Sequence, residues 1–178
     1  MYFQNAYGTS SYSIEFAPSL ENNAALPAIH IGAPQRIQIP EIALDAVIES
    51  VALTADGSMD VPKDPLNAGW YSLGPRPGEI GSAVIDGHVN WIHNSVAVFT
   101  DLHKIISGDT IIISDDTGAQ TKFSVRKTEL YNAAENAADI FTSTDNKSHL
   151  NLITCDGEWD KVARQYKQRF IVFADKVD

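Results

Sequence analysis

The chain contains one cysteine, Cys155, set between the apolar run Asn151-Leu152-Ile153-Thr154 and an expected turn at Asp156-Gly157. A single thiol rules out an intramolecular disulfide and leaves three readings: a small buried hydrophobe, a metal ligand or a reactive nucleophile. A strand end presents a side chain to solvent while the sheet holds its position, which is what a nucleophile needs. Acyl transfer by a thiol also needs a proton carrier. His88 suits that role: it follows the buried-strand pattern Ala83-Val84-Ile85-Asp86-Gly87, and Gly87 offers local backbone freedom. The other histidines, His30, His93, His103 and His149, have no comparable setting. A third group, Arg169, opens the apolar run Phe170-Ile171-Val172-Phe173-Ala174. A guanidinium held there keeps its charge, and could stabilise an oxyanion or grip a substrate backbone. Arg164 is its rival, in a polar stretch between Lys161 and Lys167 that reads as a loop.

These three residues need a rigid frame, and the chain reads as short strands broken by turns. Arg36-Ile37-Gln38-Ile39 alternates polar and apolar before Pro40. Strand candidates follow at Val47-Ile48, Val51-Ala52-Leu53, Met59-Asp60-Val61 and Ser82 to Gly87. Thr110 to Ile113 and Lys122 to Arg126 form a hairpin around Asp116-Thr117-Gly118. His149 to Thr154 and Arg169 to Ala174 are the last two strands. Val96 to Ile106 has the apolar spacing of one or two helical turns, and the alanine-rich segment Ala133 to Phe141 suggests a short helix. Many short strands with little helix indicate a closed, mainly β barrel or a sandwich.

Composition sets the outer bounds. With 178 residues, 44% hydrophobic and 20% charged, the chain has the make-up of a single globular domain. A net charge of -10 with only 13 basic residues argues against nucleic acid as a partner and favours neutral or cationic ones. No apolar run is long enough to cross a bilayer. Tyr2-Phe3-Gln4-Asn5-Ala6 looks like the remnant of a protease-cleavable tag. Residues 1–33 are therefore expected to be tag remnant and N-terminal tether, and 34–178 the barrel.

The constellation resembles the sortase family: a histidine at the end of a mid-chain strand, a strand ending in Thr154-Cys155, and an arginine opening the next strand. The surrounding motifs are similar to the class F and class E branches. They include Arg36-Ile37-Gln38-Ile39-Pro40, Ala55-Asp56-Gly57, Val61-Pro62-Lys63-Asp64-Pro65, Gly69-Trp70-Tyr71, Gly87-His88-Val89 and Ala97-Val98-Phe99. Two positions depart from the family's habits. Asn151 stands where the housekeeping branch usually has threonine, and Asp156 where class F often has glycine. The resemblance implies an eight-stranded barrel anchored by an N-terminal segment at the extracellular face of the membrane, with no cofactor or metal. It implies cleavage of a motif similar to Leu-Pro-x-Thr-Gly on a secreted protein, through a thioester on Cys155. The acyl group then passes to an amine such as a peptidoglycan precursor or a pilin lysine. It also implies His88 as acid or base, Arg169 as stabiliser and Thr154 as a substrate-ordering residue.

Three other readings compete. A cysteine peptidase would pass the same acyl group to water. A zinc site built from His88, His93 and Cys155 would lack any tight ligand spacing. A non-catalytic β-barrel binding module would keep Cys155 buried and inert.

Overall fold

The computed structural model describes residues 31–91, 95–133, 135, 137–162 and 165–177. Eight strands are present: β1 (Pro34–Ile39), β2 (Leu44–Val51), β3 (Ala68–Tyr71), β4 (Gly81–Gly87), β5 (Thr110–Asp115), β6 (Gln120–Asn132), β7 (Ser148–Asp160) and β8 (Gln165–Val177). They close into one barrel in the order β1-β2-β3-β4-β7-β8-β6-β5. Closure leaves no open sheet edge. The joints β2–β3 and β4–β7 are parallel and the others antiparallel. A parallel joint needs a long crossover, and the two crossovers supply the segments that surround the thiol.

Alternation sorts the side chains. Ile37, Ile85, Phe123, Leu150, Leu152 and Val172 point inward and pack in the barrel core. On β4, β7 and β8 the outward face is apolar as well. Val84, Ile153, Ile171 and Phe173 form a second cluster, roofed by Ile140 and Phe141 of the short helix α1 (Ala138–Phe141). These three strands are covered on both faces, which is why they read as continuous apolar runs. Asn151, buried on the outward face, donates from Nδ2 to the Ile140 carbonyl at 2.5 Å and pins α1 in place.

The structure corrects several sequence expectations. The helical pattern over Val96 to Ile106 is a single 3-10 turn, Leu102–Lys104, which buries Leu102. The helix expected over Ala133 to Phe141 shrinks to α1. The last two strands are longer than their apolar cores: β7 runs on past Cys155 to Asp160, and β8 begins four residues before Arg169. Backbone pairing carried these polar flanks into the sheet, where the hydrophobic pattern gave no cue. Most of the expected tether lies outside the described residues. Its last part lies on the barrel: Gly32 and Ala33 donate to the side chains of Asp115 and Asp116, and Arg76 donates to the Ile31 carbonyl.

The opposite end of the β7–β8 pair holds a compact charge network. His149, nearly buried, bonds Asp175 through Nδ1 at 2.7 Å and Asp145 through Nε2 at 2.9 Å. Burial disfavours the imidazolium, but the two carboxylates outweigh it, and the His149 pKa lies above its ordinary value. A raised folded-state value means the stabilisation is full below the unfolded pKa of about 6.5 and is lost as pH rises through the folded one. His149→Ala should therefore lower the melting temperature by a few degrees at about pH 6, and by less at about pH 9. Thermal melts across pH check this.

Candidate active site

β7 lies between β4 and β8, and its two ladders set the site. In the antiparallel ladder Cys155 pairs directly with Arg169. In the parallel ladder Asp86 pairs with Ile153 and Gly87 with Thr154, so His88, the next residue, comes level with Cys155. Residues 67 positions apart (155 − 88) thus meet at the end of one ladder. His88, Thr154, Cys155 and Arg169 all line a cleft of about 240 Å³ on the outer face of the barrel. Met59, Val61, Phe141 and Ile153 provide its apolar walls.

Cys155 does not end its strand, as the sequence had suggested. It sits inside β7, just before a bulge. Asp156 faces Gln168 and Trp159 faces Tyr166, so β7 carries one extra residue between them. Gly157 adopts a φ of 77° within this bulge. The Asp-Gly pair predicted as a turn is therefore a kink within the strand, a common way to re-aim a side chain.

His88 is held from several sides. Its Nε2 donates to the Pro62 carbonyl at 3.2 Å, which leaves Nδ1 as the basic nitrogen of the neutral ring. The Trp91 ring packs against the imidazole, with centroids 4.9 Å apart. Its backbone carbonyl accepts from Phe99 at 2.9 Å. Gly87 serves close packing rather than backbone freedom, because a Cβ there would come within 2.6 Å of both Phe99 and Val98. Pro62 is fixed in turn by Glu49, whose carboxylate accepts from Lys63, Asp64 and the Asn67 side chain.

Arg169 donates from Nη1 to the carbonyls of Tyr166 and Gln168, both at 3.0 Å, which anchors one nitrogen of the guanidinium fork. Tyr166 exchanges hydrogen bonds with the Asn90 side chain, tying β8 to the segment that follows His88. Thr154 is buried, and its hydroxyl donates to the Gly87 carbonyl at 2.8 Å. It therefore holds the two strand ends together. Arg164 and His93 lie outside the described residues, so neither the rival arginine nor the imagined zinc site has a geometry here. The sequence assigned no site role to Trp91, Tyr166, Phe141 or Asp86, and Pro62 figured only within a motif. Only Asp86 had left a visible sign, as an acid within an apolar strand.

Burial pushes the Cys155 thiol above its ordinary pKa. The Arg169 cation pulls it back, and Asp86 adds to the upward push. Asp86 itself is driven to about 8, by burial first and by Asp60 second, while its own backbone amide works the other way. Burial thus works against the thiolate, and the Arg169 cation works for it.

A family model described as a sortase domain matches residues 37–177. The chain belongs to the sortase family, and it is a cysteine transpeptidase. No curated protein matches it in sequence. Among solved structures, a lid mutant of sortase A from Corynebacterium diphtheriae is similar at 23% identity with a TM-score of 0.64, over 82% of this chain and 70% of that one. Sortase C1 from Streptococcus agalactiae is similar at 17% identity and 0.63, over 81% and 67%. Sortase C from Clostridium perfringens SM101 is similar at 22% identity and 0.60, over 84% and 73%. At these identities the structural likeness concerns the fold, and the class F and class E likeness rests on the sequence motifs.

The electrostatics make a direct prediction. Removing the Arg169 cation removes the only downward pull on the thiol named above, so Arg169→Ala should move the Cys155 ionisation to higher pH. The pH dependence of iodoacetamide alkylation, followed by mass, measures it. An unchanged or lower midpoint would contradict the assigned electrostatics.

Proposed function

We propose that Cys155 attacks the scissile carbonyl of a sorting motif similar to Leu-Pro-x-Thr-Gly, near the C-terminus of a secreted protein, and holds the acyl part as a thioester. The observation that carries this reading is the cleft itself, which gathers the only thiol, a level imidazole and a register-paired guanidinium. His88 takes the thiol proton and returns it to the departing amine. Its anchored ring, with Nδ1 as the basic nitrogen, supports that role. Arg169 stabilises the charge that develops on the carbonyl oxygen, and its backbone anchor aims it in advance. Thr154 contributes by fixing Gly87, and through it the placement of His88. Its hydroxyl already has a partner, which favours positioning over direct substrate contact.

The apolar walls favour a peptide with few charges, and the barrel of residues 34–178 is its carrier. An amine resolves the thioester: a peptidoglycan precursor or a pilin lysine has the required group. Sortases act at the cell surface, and we assign this one to the extracellular face of the membrane, anchored N-terminally. Among the described residues no helix is long and apolar enough to cross a membrane.

Steady-state cleavage of a motif peptide tests the roles. Cys155→Ala should abolish turnover with the fold retained. Arg169→Ala should cost about 100- to 1,000-fold in turnover, the usual effect of losing one pre-aimed donor. Arg169→Lys should recover only part, because one ammonium cannot replace the planar fork. Substantial activity in Cys155→Ala, or an unaffected Arg169→Ala, defeats the assignment.

A further inference from the structure

Asp86 is a carboxyl that the proposed roles leave unused, although it lines the same cleft as the thiol. It projects from the outward face of β4, beside Ile153 and diagonal to Cys155. Its Oδ1 is buried and has no hydrogen-bond partner. Room for it comes from Gly69, its partner on β3, where a Cβ would lie 2.5 Å from that oxygen. A buried carboxyl oxygen without a partner is costly unless some ligand completes it. The charged and titratable groups facing Asp86 are Asp60 from the β2–β3 crossover, His88, Cys155 and Arg169.

The order across the sheet gives the argument. Arg169 flanks the thiol on the β8 side and Asp86 on the β4 side. When an amine adds to a thioester, the adduct carries a negative oxygen and a positive nitrogen on the same carbon. A cation on one side of the sulfur and an acid on the other match that pair of charges. We propose that Asp86 forms the amine subsite, receiving the ammonium group of the acceptor against Cys155. This rests on the reading of Cys155 as the acylated nucleophile.

The step balances as follows. At rest burial holds the Asp86 proton up to about 8, and that proton passes to water as the ammonium docks. The ammonium then leaves one proton on the Asp86 carboxylate. The freed nitrogen attacks the thioester carbon, a C–N bond forms and the C–S bond breaks. The surplus proton on nitrogen passes through His88 to the departing sulfur. The products are the amide, the Cys155 thiol and Asp86 protonated as at rest, so one proton reaches water per turnover. The leaving amine of the first half-reaction departs through the same place, since the two half-reactions are chemical reverses.

The test compares two acceptors on one acyl-enzyme: triglycine, whose α-amino group is largely charged near neutral pH, and hydroxylamine, which is not. Mass spectrometry of the products gives, for each acceptor, the ratio of transfer to hydrolysis. In Asp86→Asn the triglycine ratio should fall roughly tenfold or more, the scale of a lost hydrogen bond to a charged group, while the hydroxylamine ratio stays within about twofold of wild type. Asp86→Ser, smaller and equally uncharged, should repeat the pattern and stands in if the asparagine variant does not fold. An unchanged triglycine ratio, or equal falls for both amines, overturns the amine subsite. Absence of any acyl-enzyme in the wild-type protein would instead fail the Cys155 reading beneath it.

Discussion

The pairing of β7 with β4 on one side and β8 on the other is the constraint on which the site depends. Neither ladder can slip by one residue without turning Leu150 and Leu152 out of the barrel core and Asn151 into it. The parallel ladder fixes where β4 ends, and so places His88 level with Cys155. The antiparallel ladder sets Arg169 opposite Cys155. The position of the chemistry is therefore maintained by the packing of Leu152, Ile153, Ile171 and Val172. The meeting of Cys155, His88 and Arg169 thus follows from strand register.

The same burial that fixes the site works against its chemistry. An enclosed cleft disfavours charge, and it pushes both Cys155 and Asp86 toward their neutral forms. Disfavouring the thiolate slows oxidation and alkylation of a cysteine. In the proposed reaction, substrate arrival expels water and brings the thiol under the influence of His88 and Arg169. The crossover between β2 and β3 takes part in this: Glu49 staples it down, and its Pro62 carbonyl sets the tautomer of His88. Loops without regular structure thus have a defined electrostatic task.

Much of this was legible in the sequence. Alternation and apolar runs gave the strands, and a lone cysteine after an apolar run, with a histidine after another, pointed to two residues that the fold brings to one cleft. Pattern matching worked because β4, β7 and β8 are covered on both faces and announce themselves as hydrophobic. It failed where backbone pairing continues into polar residues. The Asp156-Gly157 pair looked like a turn, since a turn and a bulge ask the same φ of glycine. Gly87 looked like a source of backbone freedom, although its small size is what matters against Phe99. Asn151 looked like a departure from family habit, and it is the side chain that pins α1 over the site. Contacts such as His88 to Pro62 or Asn90 to Tyr166 join segments far apart in the chain, so no local pattern could reveal them.

The most direct test of the account is the intact mass of the protein after mixing with a sorting-motif peptide and no amine. The account predicts an adduct equal to the acyl portion of the peptide, mapped by digestion to Cys155 and released by hydroxylamine, as a thioester must be. A cleaved peptide without that adduct, or an adduct on any other residue, would contradict it.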